Sequence, residues 1–317
     1  MTRTCCLVVN PAAGGGRSKR LLPLVTAVLD ATGTRHEVRA STSLEHAKEL
    51  AVAAAGRGDV VVAFGGDGMV GALAGAVAAV DGVFGIIPSG RGNDFVRTLG
   101  LPFSPADAAR VLVHGQERQV DLIGVRHPEA AQSRAAGPAE LVVAGSVYLG
   151  IPAAAAEIAG RTKWLAGPLV YPAAGIRAVV NWKSATFRVE LERGGATTVK
   201  EFSGGAVVVA NSRYFGGGMM VAPDADTSDG LLDVIFIRDA SKLDLIRALA
   251  KIKNGSHVTM SQIGMERAVE VTVTSGRPVP CGADGEALPS VSPLPAGSQL
   301  RIRALPGALR VLVPPLS

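Results

Sequence analysis

Cysteine is scarce in this sequence, and the patterns that cysteine and histidine form in disulfide frameworks and metal sites are absent. The 317 residues include three cysteines: Cys5 and Cys6 are adjacent in an apolar run, and Cys281 lies far from both. This odd number without zinc-ligand spacing excludes a disulfide framework, so we expect a reducing compartment. The five histidines are dispersed, and no local Ser-His-Asp or Cys-His arrangement occurs.

Long apolar runs are missing as well. The longest stretch without a charged residue covers 141–156, and Gly145, Gly150 and Pro152 interrupt it. A membrane-spanning helix needs about 20 apolar residues, and the first residues have no leader with a long apolar segment. We therefore expect a cytoplasmic protein that contacts a membrane only peripherally.

Neither sign of charge dominates. Lys and Arg number 32 against 27 Asp and Glu, which gives a net charge of +5. This excess suits an anionic ligand or membrane surface and is too small and scattered to indicate nucleic acid. The acid-free region 158–189 combines basic residues with Trp164, Tyr171 and Trp182, which is typical of a bilayer interface. A core-packed helix with a solvated basic face would give the same composition.

The first 122 residues alternate between strand and helix patterns. Val- and Ile-rich runs such as 4–9 and 59–64 precede helical segments, which predicts a parallel sheet covered on both faces. Ligands of such sheets bind at the carboxyl ends of the strands. After Asp121, short β-branched runs bounded by turns, among them 141–149 and 185–192, predict an antiparallel sandwich or barrel. Helices are predicted over 163–180 and 242–253.

Three glycine-rich loops fall where strands of the first part end. They are Asn10–Arg17, Gly65–Gly68 and Pro88–Phe95. Glycines let main-chain N–H groups converge on a phosphate, to which a helix N-terminus adds partial positive charge. Asp67 can hold Mg²⁺ or a ribose hydroxyl, and Arg91 can bind phosphate oxygens. Each loop alone is compatible with an ordinary turn, but three at one sheet edge predict phosphate binding.

Two groups of acidic residues lie in the second part. The segment 222–233 places several carboxylates in a loop before a strand, which suits a hard cation or an ordinary turn. Asp284 and Glu286 flank Gly285, and such a pair can supply a general base for a hydroxyl nucleophile. The second acid would then orient the base or hold a metal ion. Taken alone, the pair is more typical of an exposed turn.

Together these motifs resemble the diacylglycerol and sphingosine lipid kinase family, and most closely its bacterial soluble diacylglycerol kinase-like branch. The matching segments occur in the family's order and span nearly the whole chain. They are Asn10-Pro11 with Gly14-Gly15, Gly65–Gly68, Pro88–Phe95, Asn211–Met219, Ala222–Ala225, Asp229–Asp233 and Asp284–Glu286.

The resemblance implies two domains. The first is an α/β, Rossmann-like nucleotide-binding domain, similar to those of phosphofructokinases and NAD kinases. It would comprise 1–122 with the return of 306–317. The second, over 123–305, would be an antiparallel β-sandwich for the acceptor lipid.

The resemblance also implies a reaction, in which the γ-phosphoryl group of ATP moves, with Mg²⁺, to a hydroxyl of a lipid substrate such as diacylglycerol. Glu286 would be the proton acceptor with Asp284 beside it, and Asp67 would lie on the nucleotide and metal side. The implied nucleotide-binding residues are Asn10, Pro11, Ala12, Ala13, Gly14, Ser41, Gly65, Gly66, Asp67, Gly68, Met69, Val70, Gly71, Arg91 and Asn93.

A structural Mg²⁺ site is implied by the same resemblance. Its ligands would be the Asp229 carboxylate and the main chain near Asp226 and Leu231. The sequence does not identify the acceptor lipid or the oligomeric state. A homodimer is compatible with it.

The sequence departs from the family pattern at several positions. Met69 and Ala72 stand where the family usually has Thr and Glu, Arg91 replaces Thr or Ser, and Tyr148 lies in a usually more polar segment. These departures leave open a catalytically altered nucleotide- or lipid-binding protein of the same fold. NAD kinase shares the Gly-Gly-Asp-Gly loop, but the third loop and the 284–286 element favour the lipid branch.

Overall fold

The computed structural model of this chain describes residues 3–11, 16–127, 140–161, 170–288 and 291–315. These residues form two compact units. Unit 1 takes in the described residues up to 122, those of 227–229 and those from 306 onward. Unit 2 takes in the described residues of 123–226 and 230–305.

Unit 1 is built on a parallel sheet. Its strands are β1 (Cys5–Val9), β2 (His36–Ala40), β3 (Val60–Gly65), β4 (Val83–Pro88) and the last part of a long strand, β17 (Gln299–Val313). They run in the order β2–β1–β3–β4–β17, with every neighbouring pair parallel. Every residue of β1 and β3 is buried. Both strands therefore have cover on both faces, which explains their unbroken apolar sequences.

Helices cover this sheet. They are α1 (Arg17–Ala31), α2 (Leu44–Gly56), α3 (Asp67–Ala78), α4 (Asp94–Thr98) and α5 (Pro105–His114). Residues of α1 and α5 share one core with Leu7, Val62 and Phe64, while α2 packs against α3, β1 and β3. The strand–helix alternation predicted for this part of the chain is confirmed. Because the strands are parallel, the carboxyl ends of β1, β3 and β4 meet at one edge.

Unit 2 is built from antiparallel strands. They are the last part of β5 (Gln116–Arg126), β6 (Leu141–Val143), β7 (Ser146–Gly150), β8 (Ala185–Arg193), β9 (Ala196–Ala210), β10 (Tyr214–Phe215), β11 (Met219–Met220), β12 (Leu232–Arg238), β13 (Ile263–Ala268), β14 (Glu270–Ser275), β15 (Cys281–Ala283), β16 (Glu286–Ala287) and the first part of β17. The pairing order is β16–β15–β7–β9–β8–β14–β17. β12 pairs with β9 and β13, β5 pairs with β6, and β10 with β11 forms a separate hairpin.

Alternating side chains of these strands form the core of unit 2. Along β8, the buried residues Ala185, Phe187, Val189 and Leu191 alternate with more exposed ones. They pack with buried residues of β5, β7, β9, β12, β14 and β17 in one apolar cluster. This arrangement agrees with the predicted β-sandwich.

Three helical segments of unit 2 differ in part from the prediction. They are α6 (Ile151–Arg161), α7 (Val170–Asn181) and α8 (Lys242–Lys251); α6 packs on α7, and α7 on α8. The sequence predicted α8 and a helix over 163–180, of which 163–169 lies outside the described residues. It did not predict α6, because the helix begins inside the same uncharged run as the preceding strand. Across the described ranges, no helix combines the length and hydropathy needed to cross a bilayer.

Candidate active site

The carboxyl ends of β1 and β2 bring Ser41 next to the first glycine-rich loop. Asn10 and Pro11 follow β1 directly. Ser41 is buried, and both its main-chain N–H and its hydroxyl donate to the carbonyl of Val9, at 2.8 and 3.2 Å. Three further residues of the loop that the sequence assigned to the nucleotide, Ala12, Ala13 and Gly14, lie outside the described residues.

The second and third loops contact each other through their backbones. A Cβ added at Gly90 would lie 2.5 Å from the Cα of Gly66, and one added at Gly66 would lie 3.0 Å from the Cα of Gly90. The N–H of Ser89 donates to the carbonyl of Gly65 at 2.9 Å. Side chains do not fit at this contact, which explains why both loops carry glycine there.

Asp67 joins the same two loops by hydrogen bonds. It is the first residue of α3, and its Oδ2 and Oδ1 accept the main-chain N–H groups of Asn93 and Asp94 at 2.8 and 2.7 Å. Asn93 has a left-handed backbone (φ 52°), and its side chain both accepts from and donates to the main chain of Gly90. Hydrogen bonds to a carboxylate are stronger than neutral ones, so Asp67 holds the third loop in its shape. Each oxygen keeps accepting capacity for a further ligand.

A buried pair of hydroxyl groups links α1 to the third loop. Ser18 and Ser89 are both buried, and their Oγ atoms are 2.7 Å apart. No pattern in the sequence indicates this contact, because the residues are 71 positions apart and serine is common in loops. The pair brings the start of α1 to the third loop.

The first turn of α3 is a packed element. A Cβ added at Gly65 would lie 2.7 Å from the Sδ of Met69, which is itself buried. Val70 and Gly71 are buried too, and Gly68 is half-buried. At the position of the family's threonine, this chain therefore has an apolar side chain that covers the end of β3.

The start of α1 and the third loop carry exposed positive charge. Arg17, Lys19, Arg20 and Arg91 are exposed, and within the described part of the chain none of them forms an ion pair. The first turn of α1 contains no acid, and its N-cap residue, Gly16, provides no side-chain hydrogen bond. The N–H groups and positive dipole end of this 15-residue helix suit an anion such as a phosphate.

The turn of the β15–β16 hairpin is fixed by one carboxylate. Asp284 and Gly285 form the turn with φ of 46° and 92°, as a two-residue Asp-Gly hairpin requires. Oδ1 of Asp284 accepts the N–H groups of Gly145 and Ser146 at 2.9 and 3.0 Å, and Oδ2 accepts that of Ala144 at 2.9 Å. The turn is thereby attached to the segment between β6 and β7.

This attachment explains a difference from the sequence prediction. One strand was expected over 141–149, but the structure has β6 and β7 separated by Ala144 and Gly145. A Cβ at Gly145 would lie 2.8 Å from Oδ1 of Asp284. The main chain turns its N–H groups to the carboxylate here instead of continuing the ladder.

Glu286 differs from Asp284 in its surroundings. It is the first residue of β16, pairs with Ala283 and is exposed. Among the described residues it forms no ion pair. The hairpin thus combines an aspartate engaged with the main chain and a glutamate that can meet a substrate hydroxyl.

The loop before β12 is held by two arginines of unit 2. Arg213 donates from Nε to the carbonyl of Ala225 at 2.9 Å. Arg267 donates to the carbonyl of Asp224 at 2.7 Å and pairs with Asp233 at 3.1 Å. These contacts fix the main chain of the acidic segment.

The predicted Mg²⁺ ligands lie in the same loop. Asp226 and Asp229 are exposed, and Leu231 is half-buried. Their donor set consists of oxygen atoms, which suits Mg²⁺. Throughout the described ranges, no group of three or more His, Cys, Asp or Glu side chains converges as a metal cluster. The predicted site depends on main-chain carbonyls, and it stays a prediction.

Comparison with family models covers both units. Residues 4–125 match the diacylglycerol kinase catalytic domain, and residues 145–313 match the YegS C-terminal NAD kinase beta sandwich-like domain. The match of the α/β unit to a diacylglycerol kinase catalytic domain, together with this β-sandwich, defines the class of protein as a lipid kinase.

Comparison with curated proteins gives the family. The chain is 30% identical to the diacylglycerol kinase of Mycobacterium tuberculosis over 309 residues. This alignment covers 97% of this chain and 94% of that protein. It is 27% identical to the diacylglycerol kinase of Bacillus subtilis over 88% of each chain. The chain belongs to the diacylglycerol kinase family, as its motifs predicted.

Solved structures share the fold. Two crystal structures from Bacillus anthracis align with TM-scores of 0.75 and 0.71 at 23% and 19% identity. Each alignment covers 99% of this chain, and 98% and 97% of the other chains. The two-domain α/β and β-sandwich architecture is therefore common to them.

The contact between the second and third loops is testable by substitution. Gly90→Ala should lower the stability by about 1–3 kcal/mol, because its Cβ would overlap the Cα of Gly66. Gly56→Ala is the matched control, since a Cβ there meets no atom within 4 Å. The melting temperatures measure the effect, and equal values for the two variants would contradict the close contact.

Proposed function

We propose that this protein is an ATP- and Mg²⁺-dependent kinase that transfers the γ-phosphoryl group to a lipid hydroxyl, with diacylglycerol or a related lipid as acceptor. The observation that carries the proposal is the linkage of the second and third loops by Asp67. This linkage fixes the main chain of both loops, and exposed cations lie on the third loop and at the start of α1. The relatives named diacylglycerol kinase support the acceptor.

The phosphate groups are bound by unit 1. The N-terminal N–H groups of α1 and the glycine-rich loops supply main-chain donors, while Arg17 and Arg91 supply positive charge. Bound Mg²⁺ offsets phosphate charge. Asp67 is the proposed residue on the nucleotide side, and Asp229 with the carbonyls of Asp226 and Leu231 is the proposed structural site.

Proton removal is assigned to Glu286. Its carboxylate accepts the proton of the acceptor hydroxyl while that oxygen bonds to the γ-phosphorus and the bridging oxygen leaves with ADP. Asp284 acts as a positioning residue, because its two oxygens are engaged with three main-chain N–H groups.

Glu286→Ala should keep nucleotide binding and lose turnover by at least about a hundredfold, since general-base catalysis typically contributes 10²–10⁴-fold. The assay is transfer of radiolabel from ATP with Mg²⁺ to diacylglycerol in mixed micelles, beside calorimetric nucleotide binding. Glu201→Ala is a control, because Glu201 is an exposed glutamate of unit 2 on β9.

The outcomes separate the alternative functions. Turnover retained by Glu286→Ala would reject the role of that residue. A wild-type protein that binds ATP but labels no lipid would instead favour a binding protein of the same fold. Label transferred to NAD would favour NAD kinase.

Asp67→Ala should weaken nucleotide binding by about tenfold and lower stability by about 1–2 kcal/mol, because two N–H groups of the third loop lose their acceptor. Asp107→Ala is the control: this exposed aspartate lies in the first turn of α5 and bonds to Arg110. Calorimetry and melting temperatures distinguish the two. Unchanged nucleotide affinity in Asp67→Ala would show that the third loop does not depend on Asp67.

Peripheral membrane contact belongs to the same proposal, and the helices α7 and α8 support it. Ile176 and Val180, one turn apart on α7, are 43% and 57% exposed, and Leu243 on α8 is 56% exposed. Nζ of Lys242 donates to the carbonyl of Val179 at 2.7 Å, which attaches the start of α8 to the last turns of α7. We call these three apolar residues the α7–α8 patch.

Charge favours an anionic lipid surface as the occupant of the patch. Arg177, Arg247 and Lys251 are exposed on the same two helices, whose sequences contain a single acid, Asp244. Exposed apolar residues next to cations are typical of proteins that bind anionic bilayers.

The aromatic residues that the sequence predicted for the membrane contact do not support it in the structure. Trp164 and the side chain of Tyr171 lie outside the described part of the structure. Trp182 is half-buried, its indole N–H donates to the carbonyl of Gly204, and the Arg277 guanidinium stacks on its ring. We therefore assign the contact to the α7–α8 patch and not to Trp182. A homodimer stays a prediction.

The triple variant Ile176→Gln, Val180→Gln, Leu243→Gln should sediment with anionic phosphatidylglycerol vesicles about tenfold less than the wild type, because apolar burial contributes to interfacial binding. The control is Leu24→Gln with Val52→Gln, two unit 1 residues of similar exposure, 48% and 40%. Equal sedimentation of the triple variant and the wild type would reject the patch.

A further inference from the structure

The phenol of Tyr148 contacts the turn that precedes Glu286. Tyr148 lies on β7 and is fully buried. Its Oη accepts the N–H of Gly285 at 2.9 Å. Gly285 immediately precedes Glu286, so this hydrogen bond acts one residue from the proposed proton acceptor.

The ring of Tyr148 also packs closely against the β15–β16 hairpin. A Cβ added at Gly282 would lie 2.7 Å from Cε2 of Tyr148 and 2.6 Å from the carbonyl oxygen of Glu286. The ring and the main chain of Glu286 therefore approach the same glycine. On β10, Phe215 packs against the ring, with centroids 4.9 Å apart. A ring so enclosed has little freedom to move.

The turn that precedes Glu286 is held by two other parts of unit 2. Both of its residues have positive φ, and Asp284 is not glycine. The Asp284 carboxylate fixes one turn residue from the segment 144–146. Tyr148 fixes the other. An exposed carboxylate on a fixed backbone loses less freedom when it meets a substrate than one on a mobile turn.

We infer that Tyr148 is a positioning residue for Glu286. Its hydroxyl accepts the Gly285 amide, and its ring fixes the position of the β15–β16 hairpin that carries Glu286. This inference rests on the proposed role of Glu286. It assigns to a buried tyrosine an effect on proton transfer and no contact with the substrate.

The test is Tyr148→Phe, which removes the hydroxyl and keeps the ring. We expect kcat for lipid phosphorylation to fall about tenfold, since small misplacements of a catalytic group reduce rates strongly. The KM for ATP should not change, because the nucleotide loops belong to unit 1. Hydrogen exchange should become faster at the Gly285 amide. An unchanged kcat, or an equal effect on the KM for ATP, would overturn the inference.

A double-mutant cycle separates positioning from general structure. In a Glu286→Gln background, assayed by long incubation with radiolabelled ATP, Tyr148→Phe should have no further effect, because the group it positions is gone. A tenfold loss in that background as well would overturn the inference. Full activity of Glu286→Gln alone would reject the proposed function of Glu286 instead, so the two failures are distinguishable.

A second variant covers the case in which Tyr148→Phe does not fold. Gly282→Ala leaves Tyr148 intact and inserts a Cβ between its ring and the carbonyl of Glu286. It should give the same pattern: lower kcat, unchanged KM for ATP, and no effect in the Glu286→Gln background. An additive effect in that background would overturn the inference.

Discussion

Two hydrogen bonds to the carboxylate of Asp67 hold together the part of unit 1 to which we assign nucleotide binding. The N–H groups of Asn93 and Asp94 point to this carboxylate, and the side chain of Asn93 then closes the third loop onto Gly90. In this arrangement Gly66 and Gly90 lie so close that a Cβ at Gly90 would overlap the Cα of Gly66. A phosphate site made of main-chain donors works only if the main chain is fixed beforehand, because ordering it during binding would cost affinity.

Unit 2 uses the same device for a different purpose. Asp284 also precedes a glycine, and its carboxylate also accepts main-chain N–H groups from a distant segment. In both units the engaged aspartate fixes a turn, while the charged groups proposed for chemistry, Arg91 and Glu286, remain exposed on the segments so fixed. An aspartate within a functional motif can therefore serve as an organiser of backbone and need not contact the substrate.

Much of the fold could be predicted from the sequence. Unbroken apolar runs before glycine-rich loops identified β1, β3 and β4, and a short β-branched run bounded by turns identified β8. The division of 141–149 into two strands could not be predicted, because it depends on a carboxylate about 140 residues away. The helix α6 was missed because it begins inside the same uncharged run as the strand before it. The pairing of Ser18 with Ser89 left no local signal.

The sequence by itself determined the family, the two-part α/β and β-sandwich organisation, and the residue types of the candidate site. These properties follow from motif order and local hydrophobic periodicity, which are written along the chain. Only the tertiary structure decided what each polar group does: that Asp67 and Asp284 are occupied by main-chain N–H groups, and that the Tyr148 hydroxyl meets Gly285. The reason is physical. A carboxylate or phenol is defined by the partners that reach it, and here those partners come from segments distant in sequence.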